Sequence, residues 1–303
     1  MLHLNRSIHF QDFIFLDKGG FIMTNQQNLN TNANVTTSSN EALTSKEHIH
    51  IEEHRPKGNK FVRALIFIGW MLLIQIPLAS IMFIYSFSIY IDTLTGTLVT
   101  IIYLLIAAIV IWLVRGYYKR HTYEEPKKFT GKAIAINIGW AVLLRIIVIG
   151  MSYLMLFATG SMQTQNDKML LGDMNAAKPT PDQLGQVFPL IIFVLTITFV
   201  APYLEELVYR GIFKETLFKR TRFWLPFILS SLIFASQHGI SNWVAVLMYT
   251  MMGMIFYLAY HRRGNVRDSM MVHMIHNGVS GIMILVSYFM VLFKHKCLKL
   301  VLP

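Results

Sequence analysis

The chain has little charge and almost no cysteine. Of its 303 residues, 14% are charged and one is a cysteine, Cys297. A single cysteine cannot form an internal disulfide and excludes a cluster of cysteine metal ligands. By contrast, 54% of the residues are hydrophobic and the mean hydropathy is +0.48, which excludes the composition of an ordinary soluble domain. The composition therefore predicts a polytopic membrane protein.

Acidic residues are also few, and the formal net charge is +11. The basic residues lie in short segments beside apolar runs, at 55–63, 115–132, 214–222 and 262–267. This alternation is a topology signal, so we exclude a nucleic-acid partner. It predicts a multi-pass protein of the cell membrane with a cytoplasmic N-terminus and with the connections 159–187 and 239–243 outside. Three lysines at 294–299 favour a cytoplasmic C-terminus, which would require two helices in the last run, whereas one helix would end outside.

The first 58 residues have the composition of a polar tail. Residues 23–40 are rich in Thr, Asn, Gln and Ser, so they cannot form a hydrophobic core and we expect disorder. Residues 10–15 are too short and too interrupted for the apolar part of a signal peptide. The codons for Lys18 to Ile22 can contain a bacterial ribosome-binding site. We hypothesise that native translation starts at Met23 and that 1–22 are not part of the natural product.

Seven apolar runs of roughly 20 residues follow, and each is long enough for a helix to cross about 30 Å of hydrocarbon. They lie at about 61–90, 97–114, 133–158, 187–212, 223–241, 243–260 and 268–293. We predict an all-α transmembrane bundle of about seven to eight helices. Its N-terminal membrane helices would occupy 59–160 and its functional core 187–293.

Two carboxylates, Glu205 and Glu206, lie inside the fourth run. Charged side chains in hydrocarbon are costly and face a bundle interior or a cavity, so they indicate a functional site. Three residue pairs in this half of the chain share a spacing of four residues, which places both members of a pair on one helix face. The pairs are Glu206 with Arg210, Phe234 with His238, and His273 with Asn277.

The depths of these residues in the membrane can be compared. If the basic cluster around Thr221 is the turn of a helical hairpin, Glu205 lies 16 residues before it and His238 lies 17 residues after it. At about 1.5 Å per residue, both reach a similar height on adjacent antiparallel helices. His273 follows the basic turn at 262–267 by a few residues. We therefore expect the three side chains to meet in the cytoplasmic half of the bilayer.

In this order, the three pairs resemble the motifs of the CAAX prenyl protease type II and bacteriocin-processing family of intramembrane endopeptidases (CPBP). The family motifs are Glu-Glu-x-x-x-Arg, Phe-x-x-x-His and His-x-x-x-Asn. They read here as Glu205-Glu206 to Arg210, Phe234 to His238 and His273 to Asn277, with His276 outside the pattern. Each motif alone is weak evidence, whereas all three in order within apolar runs are strong evidence. The resemblance covers 187–293.

The resemblance implies an intramembrane protease that hydrolyses a peptide bond of a membrane-associated or peptide substrate without a cofactor. Glu205 and His238 would activate water, and His273 and Asn277 would donate hydrogen bonds to the oxyanion. The bacterial members of the family suggest bacteriocin processing or self-immunity.

Other residues of the fourth run would support this chemistry. Burial destabilises an ionised carboxylate, which suits Glu205 to proton transfer near neutral pH. Glu206 and Arg210 would hold the motif helix in place. Because Pro202 lacks an N–H, we expect weakened backbone bonding near Thr198 and a bend just before Glu205.

Three alternatives stay open. Two histidines and one glutamate could bind Zn²⁺ and leave a fourth position for water, although Asn277 is a poor zinc ligand and the chain has no His-Glu-x-x-His segment. A non-catalytic membrane scaffold or immunity protein is an alternative of another class. A transporter is the third, but residues 61–158 and 187–293 show no convincing internal repeat.

The site residues also have structural interpretations. Glu206 with Arg210 could be a salt bridge near an interface, His238 could cap a helix end, and Asn277 could join two helices. Arg145, midway along the third run, requires a carboxylate or a water-filled cavity as its partner, and the sequence does not decide between them.

Overall fold

The structure, a computed structural model, describes residues 58–122, 127–173, 180–218, 222–239 and 241–301. The predicted polar tail lies outside these ranges up to position 57. Every regular element within the described ranges is helical. This confirms the predicted all-α bundle.

We number the described helices α1 to α9. They are α1 Lys60–Leu73, α2 Gln75–Phe87, α3 Thr93–His121, α4 Gly131–Thr159, α5 Gln165–Leu171, α6 Val187–Leu217, α7 Trp224–Ser236, α8 Trp243–Arg263 and α9 Val266–Val301. A 3₁₀ turn, Pro181–Gln183, precedes α6. The side chains of Asp92, Thr130 and Asn242 accept hydrogen bonds from first-turn N–H groups, which fixes the starts of α3, α4 and α8.

Six helical segments of the described chain are long and apolar enough to cross a membrane. They are α1 with α2 (Lys60–Phe87), α3, α4, α6, α8 and the first part of α9 (Val266–Lys294). The first segment is interrupted at Ile74, because Pro77 has no N–H to donate to the carbonyl four residues before it. Large apolar side chains such as Leu105, Ile109 and Trp112 are exposed along α3, as expected for a lipid-facing surface.

The fifth predicted run, 223–241, is not a full span. Its helix α7 has 13 residues and is therefore about 20 Å long, shorter than the hydrocarbon core of about 30 Å. His238 consequently lies beyond the end of the helix. The last run is one continuous helix, α9, rather than two.

Helix α6 contains two wide π-helical turns, Thr196–Val200 and Leu207–Ile212, on either side of the α-helical turn Ala201–Glu206. In the first, the N–H of Ala201 bonds to the carbonyl of Thr196, five residues earlier. Pro202 comes next in this register and has no N–H, so it offers no donor to the carbonyl of Ile197. The interruption thus falls one residue earlier than an α-helical register would place it.

The helices that carry the motifs pack around α6. α6 contacts α9, α3 and α2, whereas α7 packs on α8, which also contacts α4 and α9. α7 and α8 approach closely at Gly253, where a Cβ atom would lie 2.8 Å from Cα of Ser231. The apolar side chains of Leu204, Val208 and Phe234 fill the space between α6 and this pair.

A buried carboxylate holds the turn between α8 and α9. Asp268 accepts hydrogen bonds from Nε and Nη2 of Arg263 at 2.7 and 2.8 Å, and from Nδ2 of Asn137 on α4 at 2.7 Å. Arg262 donates to Oδ1 of Asn137 at 2.9 Å. These bonds fix the start of α9 against α4, and thereby the height of His273 less than two turns later.

Candidate active site

A cavity of about 240 Å³ lies between α2, α5, α6, α8, α9 and the turn after α7. All four residues predicted to be catalytic line it: Glu205, His238, His273 and Asn277. Its apolar wall includes Leu78, Met82, Leu170 and Met252. The fold therefore brings residues from three separate motifs to one cavity.

Glu205 lies between the two imidazoles. Its Oε2 is 4.0 Å from Nε2 of His238 and 3.9 Å from Nε2 of His273. The same oxygen makes no hydrogen bond to a described residue, and Glu205 is only 8% exposed. A buried carboxylate oxygen thus faces two nitrogens at distances too long for direct hydrogen bonds.

The second nitrogen of each imidazole is engaged. Nδ1 of His238 donates to the carbonyl of Phe234 at 2.8 Å, and Nδ1 of His273 lies 2.9 Å from Oε1 of Glu206. In a neutral ring, these acceptors place the N–H on Nδ1 and leave the lone pair of Nε2 towards Glu205. The bond of His238 caps the end of α7, as its structural interpretation suggested, and it also orients the ring.

Glu206 and Arg210 form a fully buried ion pair. Nη1 of Arg210 lies 3.2 Å from Oε1 of Glu206, with both side chains 0% exposed, and Nη2 donates to the carbonyl of Gly253 at 3.0 Å. The guanidinium carbon also lies 5.1 Å from the ring centroid of Phe234. Through these contacts the pair connects α6 with α8 and, by way of Glu206, with His273 on α9.

Asn277 contacts the interrupted part of α6. Its Nδ2 donates to the carbonyl of Ile197 at 2.9 Å, the carbonyl to which Pro202 offers no N–H. A side-chain amide has two N–H donors, so this bond uses one of them. Asn277 does link two helices, as its structural interpretation suggested. Its partner is a backbone carbonyl, which no motif specifies.

Arg145 and His276 meet beside the cavity. Nη2 of Arg145 on α4 donates to the backbone carbonyl of His276 at 2.6 Å, a partner that is neither a carboxylate nor a cavity. His276 lines the cavity, and its buried Nδ1 makes no hydrogen bond to a described residue. The sequence offered one signal for the role of His276, namely that it is a second histidine three residues after His273.

Helix α5 lies in the predicted outer connection 159–187. It lines one side of the cavity with Asn166, Asp167, Met169 and Leu170. Thr164 caps this helix, and its Oγ1 lies 2.9 Å from the hydroxyl of Tyr249 on α8. The ring of Tyr249 stacks on His238 with centroids 4.9 Å apart. These residues could not be assigned from the sequence, because no spacing rule connects a loop helix with α8.

The distances also test the fit of zinc. Zinc lies about 2.0–2.2 Å from nitrogen and oxygen ligands, which puts tetrahedral ligand atoms about 3.3–3.5 Å apart. The distances from Glu205 to the two imidazoles are longer. Within the part of the chain that the structure describes, no group of three His, Cys, Asp or Glu side chains could hold a metal ion. This donor set does not form a zinc site as it stands.

Residues 187–279 match the family described as type II CAAX prenyl endopeptidase Rce1-like. This matched range contains the three motifs in their expected order. The match covers about a third of the chain. We refer to 187–279 as the Rce1-like core. The match confirms the resemblance to CPBP proteins noted in the sequence.

Two relatives extend the comparison. The chain is 36% identical over 97 residues to the UPF0177 protein YvdC of Lactococcus lactis, across 32% of this chain and 36% of that protein. It is 28% identical over 191 residues to the membrane-embedded CAAX protease MroQ of Staphylococcus aureus, across 59% of this chain and 70% of that protein. The first match thus spans about a third of its relative. No solved structure matches the chain. The Rce1-like core and the six apolar helices identify a multi-pass membrane protein.

Proposed function

We propose that this protein is an intramembrane endopeptidase that hydrolyses a peptide bond of a membrane-associated or peptide substrate. The observation that carries the proposal is the position of Glu205 between Nε2 of His238 and Nε2 of His273, inside a cavity that the Rce1-like core forms with α2 and α5. The family description and the name of the relative MroQ support the same reaction class.

The proposed nucleophile is a water molecule shared by Glu205 and His238. Polar atoms about 4 Å apart are too distant for a direct hydrogen bond and suit a bridging water. The carboxylate oxygen and the imidazole lone pair can each accept a proton from this water as its oxygen bonds to the scissile carbonyl carbon. The proton then passes to the leaving amine as the C–N bond breaks.

The proposed oxyanion donors are Asn277 and His273. Asn277 has a second N–H beside the one used on Ile197. His273 can donate from Nε2 once its ring carries a second proton, a state that the carboxylate of Glu206 at Nδ1 stabilises. Arg210 keeps Glu206 in position for this task. The reaction needs no metal in this scheme, and zinc dependence is the competing mechanism.

We place the protein in the bacterial cell membrane with its N-terminus in the cytoplasm, on the basis of the alternating basic connections. The substrate class we propose is a membrane-associated peptide in bacteriocin processing or self-immunity. The cavity has both polar and apolar walls, a lining that suits an extended peptide.

The test uses the full chain purified in detergent and a library of internally quenched peptides, with and without a farnesyl group on a cysteine. Glu205→Gln, His238→Ala and His273→Ala should each lower the cleavage rate by about 10²–10⁴, the usual range for general acid–base catalysis. Glu215→Gln is the matched control. Glu215 is the third buried glutamate of α6; it contacts Tyr260 and does not line the cavity.

Wild-type cleavage rates in folded Glu205→Gln would refute the proposed mechanism. A folded wild-type protein that binds peptides of the library but cleaves none would instead favour the non-catalytic scaffold or immunity protein.

A further inference from the structure

The imidazole of His238 contacts two aromatic rings. The ring of Phe234 lies 4.2 Å from it, centroid to centroid, at an interplanar angle of 33°. The ring of Tyr249 lies 4.9 Å away at 27°. Phe234 belongs to the second motif, whereas Tyr249 comes from α8 and belongs to none of the three.

His238 lies just beyond the end of α7, where its backbone N–H bonds to the carbonyl of Ala235 at 3.1 Å. α7 ends at Ser236, and Gly239 follows His238 with a φ of +89°, so the histidine lies in a turn rather than in a helix. The direction of its Nε2 therefore depends on side-chain contacts and on the bond from Nδ1 to Phe234.

Tyr249 is itself fixed. It is 3% exposed within α8, and its hydroxyl lies 2.9 Å from Oγ1 of Thr164. Thr164 exchanges hydrogen bonds with Asp167 in a capping box at the start of α5. One phenol thus contacts the imidazole through its ring face and the helix beside the cavity through its oxygen.

We propose that Tyr249 is a positioning residue that keeps Nε2 of His238 directed at Glu205 and connects this ring to α5. The proposal rests on the endopeptidase function proposed above. The ring supplies the orientation, because stacking fixes the plane of the imidazole, and the hydroxyl supplies the connection to Thr164. The two contributions can therefore be removed separately.

The kinetic test compares Tyr249→Leu with Tyr249→Phe in the purified full chain, using the quenched peptide that the wild type cleaves fastest. Tyr249→Leu should lower kcat by roughly 10–10²-fold with KM within about twofold, because a misdirected group affects the chemical step. Tyr249→Phe keeps the ring and should retain kcat within about threefold. Thr164→Val removes the other half of the hydroxyl contact together with the cap of α5, so its kcat should be no higher than that of Tyr249→Phe.

Tyr257→Leu is the control for lost packing. Tyr257 is a fully buried tyrosine of α8 that packs on Phe227 and does not line the cavity. Its replacement should lower the melting temperature by an amount similar to that of Tyr249→Leu and leave the kcat of the folded protein unchanged.

A second measurement does not depend on activity. Diethyl pyrocarbonate modifies accessible imidazoles, and mass spectrometry can read the modification rate of His238. This rate should rise several-fold in Tyr249→Leu and remain at the wild-type value in Tyr257→Leu.

Equal kcat values in Tyr249→Leu and the wild type, equal losses in the two leucine variants, or an unchanged modification rate would each overturn the proposal. Failure of the proposed function has a different signature. The wild type would then cleave no peptide, while the modification rates would still report whether Tyr249 holds His238.

Discussion

Replacing Arg210 should separate the stability of the site from its chemistry. The guanidinium is 0% exposed and has two polar partners on different helices, Oε1 of Glu206 at 3.2 Å and the carbonyl of Gly253 at 3.0 Å. Arg210→Met removes both contacts and the charge. Arg210→Lys keeps the charge, but one ammonium group cannot reproduce the planar fork of donors.

The expected costs follow from what each variant leaves unpaired. In Arg210→Met the carboxylate of Glu206 stays buried without its cation, and breaking a buried pair in this way costs about 3–5 kcal/mol. Arg210→Lys should lose one charge-assisted hydrogen bond, about 1.5–3 kcal/mol. Adding Glu206→Gln to Arg210→Met removes the unpaired charge, so the double variant should be more stable than Arg210→Met alone.

The assay is equilibrium unfolding in mixed micelles of SDS and a mild detergent, followed by circular dichroism, with cleavage measured on the folded fraction. Arg210→Lys should retain more activity than Glu205→Gln despite its lower stability. Arg120→Met is the control, since Arg120 is exposed on α3 and donates to the carbonyl of its own helix at Gly116.

Equal stability of Arg210→Met and the wild type would contradict the argument. Strict additivity of Arg210→Met and Glu206→Gln would also contradict it, because the two side chains would then not interact.

Two further predictions concern mechanism and topology. Asn277→Ala should lower the cleavage rate by roughly 10²–10³, the loss expected for one oxyanion donor. Asn277→Asp should be no better, because its charge opposes the oxyanion. Zinc retained after purification, with activity restored by Asn277→Asp and lost on chelation, would establish the metal mechanism instead. In a cysteine-free background, Asp173→Cys should react with impermeant thiol reagents in intact cells while Lys119→Cys should not, and the reverse pattern would invert the proposed orientation.

Much of the fold could be predicted from the sequence because lipid imposes a simple rule. A helix satisfies its own backbone in hydrocarbon, so long apolar runs become helices whatever their neighbours are. That rule gave the helices α3, α4, α6, α8 and α9. It failed at α7, because a run of apolar residues does not show where a turn such as that at His238 begins.

The site was predictable to the extent that its contacts join side chains of regular helices. The four-residue spacings placed Glu206 with Arg210, and the order of the motifs brought Glu205 and the two histidines to one cavity. The partners of Arg145 and Asn277 could not be predicted, because both are backbone carbonyls and every residue has one. The acceptor of Asn277 also depends on a π-helical turn, which arises from packing around Pro202 rather than from a local pattern.

The short length of α7 has a consequence for the lipid around the protein. A helix of about 20 Å covers two thirds of the usual hydrocarbon thickness of about 30 Å. The rest of that depth faces the turn at His238, whose backbone requires water or protein as a hydrogen-bond partner. A bilayer accommodates a short span by thinning, by snorkelling of flanking side chains or by helix association, and we expect thinning beside α7. A thinner membrane next to His238 would shorten the distance that water must travel to the cavity.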